Sequence, residues 1–505
     1  MNLTQNVDWA VVAPPLIAAV AAVVVLVADL FLPAARRPLL GWLAAGGLAL
    51  AALALLPLRD GDRTTFCLAD EPALCAYTAD RFAVIVQLLV LGGAFLVALL
   101  SVPETADDDV PAGEFWFLLL SSAAGAALLP AARDLATLII ALEVTTLPAY
   151  ALVGLRRGSR TGPEAALKFF LTSVTATAVT LLGVSFVYAA GGSLFFADLA
   201  TALPGGDPRL ATLAEAGVAL TLVGFAFKVA AVPFHFWVPE TYVGAPLPVA
   251  GYLSVVGKAA GLAGLALVTT LAFPGYGDLW GPALGLLAGL TMTVGNVAAL
   301  RTDPAAPHSA IRLLAWSSVG QAGYLLVPLA AAAYTDRGEA VGATVAYALM
   351  YAAVNLGAFA VAAQVARRLD DYRGLYARRP LTALALAFFL LCLAGLPPGV
   401  VGLFAKVAVF EAAVDAGLGV LAVVMAVNVA IALFYYLRWT ALLFRPAEEP
   451  AAAPATGAAA PATGPTAPAS RTVPLAGAVG LAATAALAFS GAPQLILTFV
   501  STGLI

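Results

Sequence analysis

The stretch Phe225-Ala226-Phe227-Lys228-Val229-Ala230-Ala231-Val232-Pro233-Phe234-His235-Phe236-Trp237-Val238-Pro239-Glu240 decides how the rest of the chain is read. An apolar, helix-like run carries a lysine in its interior, breaks at Pro233 and leaves through aromatic residues and a histidine. The next apolar run carries Lys258 in its middle. A charge at bilayer depth costs about 3 kcal/mol or more, so an ionisable group placed there is a functional hypothesis by default. The chain has four lysines, Lys168, Lys228, Lys258 and Lys406, and all lie inside apolar runs. Surface cations are written as arginine instead. Arginine stays protonated, whereas a buried lysine can gain and lose a proton, so this usage keeps lysine where a proton is to be moved.

At 505 residues, 62% hydrophobic and 11% charged, the composition excludes a soluble globular protein. Apolar windows of about twenty residues, the length that crosses a hydrocarbon core, recur from end to end. The fold class expected is an all-α polytopic membrane protein of about 14 transmembrane helices, with two inverted repeats of five helices and two broken helices. The spans are read at 9–32, 38–57, 81–102, 114–130, 134–154, 164–190, 211–232, 246–271, 282–300, 312–333, 340–365, 381–415, 418–443 and 474–501. The seventh is interrupted at Pro233 and the twelfth at Leu396-Pro397-Pro398-Gly399. Such breaks are tolerated only where protein or a polar cavity covers the freed backbone groups.

Paired broken helices are the mark of repeat-built transporters, with the site beside the breaks. The organisation expected is therefore helices 1–3 in 1–113, a first repeat of helices 4–8 in 114–271, and a second of helices 9–13 in 282–443. An Ala/Pro-rich linker over 446–473 leads to a last helix at 474–501. No cleavable signal peptide is expected, because Met1 to Ala10 lacks a basic region. There is no phosphate-binding loop, dinucleotide fingerprint or clustered Cys/His motif. Two histidines and three scattered cysteines do not make an iron–sulfur or haem site, so no cofactor is expected in this chain. Nothing points to nucleic acid as a partner. The lipid bilayer and protons are the partners expected.

Orientation follows from arginine. With both termini outside, the inner loops hold Arg36, Arg37, Arg156, Arg157, Arg160, Arg301, Arg312, Arg367, Arg368, Arg373, Arg378, Arg379, Arg445 and Arg471. The outer loops hold Arg59, Arg63, Arg81, Arg133, Arg209 and Arg337. That bias matches the positive-inside rule despite the acidic inner run Asp107-Asp108-Asp109. It puts the loop carrying Cys67 and Cys75 outside, where a disulfide could form. Cys392 reads as a buried small hydrophobe.

Glu143 sits mid-span in Leu138-Ile139-Ile140-Ala141-Leu142-Glu143-Val144, and its expected counter-charge is Lys228. Lys228, Lys258 and Lys406 are the expected proton carriers with it. Lys168 lies a few residues inside its span, where snorkelling and proton transfer are both open. His235 follows the break, where it either bonds a freed carbonyl or carries protons. His308 reads as solvated in an inner loop, and Glu164, Glu411, Asp415 and Asp29 as interfacial. Lys228 and Lys406 are 178 positions apart, and the same offset carries Glu143 to Gln321. On that register the first lysine faces a carboxylate and the second a neutral amide.

Several motifs carry a family resemblance. Pro233 to Pro246 (Pro-Phe-His-Phe-Trp-Val-Pro-Glu-Thr-Tyr-Val-Gly-Ala-Pro) resembles the signature of the antiporter-like subunits of respiratory complex I and of Mrp-type cation/proton antiporters. So do Glu143 with Leu147-Pro148-Ala149-Tyr150, Glu164 to Phe170, Arg312 to Ser318, and Leu393 to Pro398 leading to Lys406. The likeness covers nearly the whole membrane region. Lys406 sets the chain apart from M-type relatives, and its length from L-type ones. The resemblance implies a proton-pumping membrane-arm subunit beside M- and K-type neighbours in a bacterial plasma membrane. NADH, FMN, iron–sulfur clusters and quinone would then lie on partner subunits. Glu143 and Lys228 would be the ion pair, Lys258 the central relay and Lys406 the group handing the proton outward. An Mrp-type antiporter or hydrogenase-linked subunit is the neighbouring alternative. A structural scaffold would have no reason to confine its lysines to the spans.

Overall fold

In hydrocarbon no water serves the backbone, so each apolar run must close its hydrogen bonds within itself. The computed structural model, which describes residues 7–106, 109–446, 469–501 and 504, folds every expected run as helix. The first three are α1 (Trp9–Phe31), α2 (Pro38–Leu53) and α3 (Arg81–Ser101). They are followed by α4 (Ala112–Leu128), α5 (Leu135–Gly154) and α6 (Thr161–Gly191), then a short outlying α7 (Phe196–Ala202). The seventh crossing is α8 (Ala211–Lys228), an irregular turn, and α9 (Trp237–Gly244). The eighth is α10 (Leu247–Tyr252) continuing into α11 (Lys258–Leu267), with π-helical turns at Leu253–Gly257 and Val268–Ala272.

The second half holds α12 (Gly277–Leu300), α13 (Ser309–Ala331), α14 (Arg337–Gln364) and a single turn α15 (Leu375–Arg378). Then come the split pair α16 (Pro380–Ala394) and α17 (Val400–Asp415), and the long α18 (Gly419–Phe444). Thirteen helices among the described residues are long and apolar enough to cross a membrane, and the α16–α17 pair makes one further crossing. The run expected at 474–501 is not one span. It is α19 (Ala469–Gly491) and α20 (Gln494–Ser501), parted at Pro493, which cannot continue a helix. Most of the expected linker, 447–468, lies outside the described residues, as do Asp107 and Asp108.

The helices begin and end at two distinct faces. Aspartates start α1, α3, α5 and α14, with Asp8, Asp80, Asp134 and Asp336 accepting from Ala10, Ala83, Thr137 and Glu339 amides. A carboxylate there satisfies orphan amide donors and the positive end of the helix dipole. All four caps lie at one face, where the first and last described stretches of the chain also meet. Asp8 pairs with Arg63 at 2.5 Å, and the Leu504 amide meets the Gly338 carbonyl. The loop carrying Cys67 and Cys75 proves to be an antiparallel hairpin, β1 (Arg63–Cys67) and β2 (Cys75–Ala79), closed by a disulfide between them. Tyr77 of the hairpin bridges to Ala132, and Arg133 pairs with Asp80. The opposite face is tied by Arg156 to Glu104 at 2.8 Å and by the Ala310 amide to the Arg367 carbonyl. His308 is not simply solvated there. It is half-buried, and burial with the nearby Arg367 and Arg312 holds its imidazole below the usual range.

The core is deepest along α13 and α14, where nearly every side chain is buried. Both broken helices pack against this pair or its neighbours. At the second break Gly395 takes φ +82°, closing α16 with amide bonds to the Leu391 and Cys392 carbonyls. The chain then turns so sharply that Gly402 of α17 lies against the α16 backbone, and a Cβ there would meet the Cys392 carbonyl oxygen. Gly402→Ala is expected to destabilise the assembled protein by about 1–3 kcal/mol or more, because a backbone carbonyl cannot rotate aside as a side chain can. The midpoint of thermal unfolding of the purified complex checks this, and a midpoint equal to that of the parent would show that the two half-helices can separate freely.

Candidate functional site

Lys228 is the last residue of α8, where the helix runs into its break and its side chain turns toward α5 and α6. Its Nζ donates to Ser173 Oγ at 2.7 Å and to Tyr150 OH at 3.4 Å, and lies 4.0 Å from Glu143 Oε1. Glu143 also accepts from Thr177 Oγ1 at 2.7 Å and from Thr146 Oγ1 at 3.4 Å. The expected pair is therefore present, with separate hydroxyls bonded to the ammonium and to the carboxylate. The two ends differ in exposure: the Lys228 side chain is 5% exposed and that of Glu143 22%. Glu143 sits on the flank of the bundle, beside the exposed Ile140 and Leu147.

Lys258 opens α11 directly after a π turn, a local widening that re-aims the residues following it. Its Nζ donates to the Ser318 carbonyl and, at 2.7 Å, to Ser318 Oγ on α13. Gly261, one turn on, faces the Lys228 Cβ, and the missing side chain lets α8 and α11 approach. Lys406 lies in α17 beyond its break and reaches back across it, donating to the Leu393 and Ala394 carbonyls at 2.9 and 2.7 Å. These are among the last carbonyls of α16, left without helical partners and at the negative end of its dipole. The lysine thus caps the half-helix that precedes it.

Between Lys258 and Lys406 lie two buried polar clusters on neighbouring turns of α13. Tyr351 donates to Ser318 Oγ at 2.8 Å. Ser317 Oγ lies 2.5 Å from Tyr436 OH, Gln321 Nε2 donates to Tyr436 OH at 3.1 Å, and Tyr347 donates to Gln321 Oε1 at 2.5 Å. The Tyr347 ring stacks on Tyr324, whose ring centroid is 5.7 Å from Lys406 Nζ. Gln321 therefore spends its amide on two tyrosines instead of facing Lys406. The 178-residue offset also fails at the breaks, since Lys228 precedes its break and Lys406 follows it. The aromatic and hydroxyl members were not anticipated as site residues. Their signal is helical spacing of polar residues within apolar spans: Ser317, Gln321 and Tyr324 on α13, and Tyr347 and Tyr351 on α14, each share one helix face.

Lys168 and His235 lie apart from this row. Lys168 is half-exposed between Glu164 at 2.8 Å and Glu240 at 2.6 Å, an ion triad that joins α6 to α9. His235 sits in the first break with its ring 5.5 Å from that of Trp316. Among the described residues no group of three or more His, Cys, Asp or Glu side chains is arranged to hold a metal ion.

Ser318 is the joint of the row, since one hydroxyl serves Lys258 and Tyr351. Ser318→Ala is expected to cost about 1–3 kcal/mol by leaving buried donors short of an acceptor. Thermal unfolding of the purified complex should show the loss in Ser318→Ala and only a small one in Ser318→Thr, which keeps the hydroxyl. Equal midpoints for the two variants would mean that the hydroxyl carries no such load.

The comparisons with known proteins bear on this arrangement. The family described as NADH:quinone oxidoreductase/Mrp antiporter, TM, matches residues 132–432. NADH-quinone oxidoreductase subunit N 2 of Streptomyces griseus subsp. griseus is 65% identical over 508 residues, covering 100% of this chain and 95% of the relative. Among solved structures, a chain of respiratory complex I from Thermus thermophilus with bound aureothin superposes with a TM-score of 0.75 at 33% identity, over 96% of this chain and 98% of that one. A chain of the Mrp complex from Dietzia sp. reaches a TM-score of 0.80 at 24% identity, over 97% and 96%, a likeness of fold. The family match spans Glu143, Lys228, Lys258 and Lys406, and the chain belongs to the NADH:quinone oxidoreductase/Mrp antiporter family, on its branch of NADH-quinone oxidoreductase N subunits.

Proposed function

We infer that the chain is a proton-translocating membrane-arm subunit of an NADH-quinone oxidoreductase. Electron transfer from NADH to quinone takes place on partner subunits, which would carry FMN and the iron–sulfur clusters, and the chain moves protons through Glu143, Lys228, Lys258 and Lys406. The observation that carries this reading is the set of three buried lysines, each held by polar acceptors, with a cluster of buried tyrosines, serines and an amide lying between Lys258 and Lys406. A lysine next to a carboxylate is favoured charged, and separating the pair favours the neutral form. A motion that alternately closes and opens the Glu143–Lys228 contact would load and unload a proton at one end of the row. The cap that Lys406 places on α16 would do the equivalent work at the other.

Lys168 and His235 take second place in this reading, as groups beside the row. The organisation into two five-helix repeats, 114–271 and 282–443, is supported by one broken helix in each half. M- and K-type subunits are the neighbours proposed, with the partly exposed Glu143 on a flank. Both termini outside is the orientation proposed, supported by the arginine bias and by the disulfide-closed hairpin near Asp8. The fold shared with the Mrp complex keeps an ion-gradient-driven antiporter as the second reading. Co-purification of peripheral NADH-oxidising subunits separates the two.

Lys228→Ala in a fully assembled complex is expected to lower proton pumping and quinone-coupled NADH oxidation together. It leaves Glu143 without its ammonium, a loss worth about 3–5 kcal/mol for a buried pair. Parent-level coupled activity in vesicles would refute the pairing as part of transport. The topology has its own check. After mild reduction, a membrane-impermeant maleimide should label Cys67 and Cys75 in right-side-out vesicles, and labelling only in inverted vesicles would reverse the orientation.

A further inference from the structure

At the face opposite the hairpin, the ends of six segments enclose a cavity of about 420 Å³. Its charged lining is Arg156, Arg367, Arg379 and Glu104, three guanidiniums against one carboxylate. Arg156 pairs with Glu104 at 2.8 Å. Arg367 donates to the Val243 carbonyl at 3.3 Å and Arg379 to the Gln364 carbonyl at 3.2 Å, so backbone dipoles position both without neutralising them. Crowding is felt at Arg367, where burial and the nearby Arg156 push its guanidinium below the ordinary value against the pull of Glu104. Gln364 also lines it, and the rest of the wall is apolar: Leu100 near the end of α3, Leu247 and Pro248 at the start of α10, and Leu475 on α19. Beside the cavity α19 exposes Val473 and Leu481.

We propose that the Arg156–Arg367–Arg379 cavity binds the phosphate headgroup of an anionic phospholipid. Guanidiniums recognise a phosphodiester through paired N–H donors, and basic pockets between helix ends at the membrane surface suit anionic headgroups. A free phosphate has the same anionic chemistry but no use for an apolar edge, which the partly exposed Leu475 and the exposed Val473 beside it offer to acyl chains. Docked there, the lipid would tie α3, α10, α14, α16 and α19 together at one end. The carbonyl ends of α3 and α14 point toward this surface, and the arginines shield the phosphate from them. The site stands independently of the transport reading, since none of its residues belongs to the lysine row.

The test uses the assembled complex in nanodiscs of phosphatidylcholine doped with a photoactivatable phosphatidylglycerol, reading cross-links on peptides that contain Leu247 or Leu475. Labelling is expected at one of these walls and should be competed by unlabelled phosphatidylglycerol. Each arginine near a membrane surface changes anionic-lipid affinity by about fivefold. Arg379→Gln should therefore weaken labelling by about that factor, Arg367→Gln with Arg379→Gln further, and Arg379→Lys far less. Arg379 is exposed, so its variants keep the test usable if the double variant fails to assemble. Labelling that is unchanged in Arg379→Gln, or competed equally by phosphatidylcholine, would overturn the proposal. Competition by inorganic phosphate alone would reduce it to a free-anion site.

Discussion

An ammonium group inside a bilayer must be met by acceptors wherever it goes, and the architecture is arranged around supplying them three times. Each lysine is met from a different source. Lys228 has a carboxylate and hydroxyls from two helices, Lys258 a serine with its own carbonyl, and Lys406 the open end of a half-helix. The sources differ in what it takes to remove them. A carboxylate on a flank is displaced by moving a neighbouring helix, the Ser318 hydroxyl by turning one side chain while its carbonyl stays in place, and a helix end only by moving backbone. The row is thus graded in stiffness.

Backbone irregularity supplies much of this. A straight α-helix consumes its own carbonyls, leaving none for a lysine. The break at Gly395 releases the Leu393 and Ala394 carbonyls, and the π turn before Lys258 sets that side chain toward α13. The break after α8 is covered by neighbours as well: Trp237 Nε1 donates to the Phe227 carbonyl, and Thr291 Oγ1 accepts from the Val232 amide. Freed groups are spent on side chains, as a medium without water requires. Close-packed glycines such as Gly261 and Gly402 let the irregular segments approach their neighbours without a void.

Hydropathy made all but the last span legible to within a few residues, because length and apolarity are what a bilayer selects. Charged positions were legible for the same reason: Lys228, Lys258, Lys406 and Glu143 stand out against an apolar background. Pairing was legible only where charges attract, as for Glu143 with Lys228. Neutral partners carry no such flag, so Ser173, Ser318, Gln321 and the tyrosines of α13, α14 and α18 emerged only once the helices were packed. A single offset between halves could not place Gln321, because the two lysines sit on opposite sides of their breaks. The hairpin, the split at Pro493 and the π turns escaped because each depends on packing or on one local residue.

The cap on α16 has one more consequence. Lys406 and the last carbonyls of α16 share a single free energy, so the order of that helix end and the occupancy of the lysine by a proton are linked quantities. Whatever draws α17 away from α16 must change how readily the lysine is charged, and whatever discharges the lysine must loosen the joint by the same amount. Force and charge are interchangeable at this point, as in any reciprocal transducer. A displacement arriving from a neighbouring subunit and a proton arriving along the row would be read by the same few atoms.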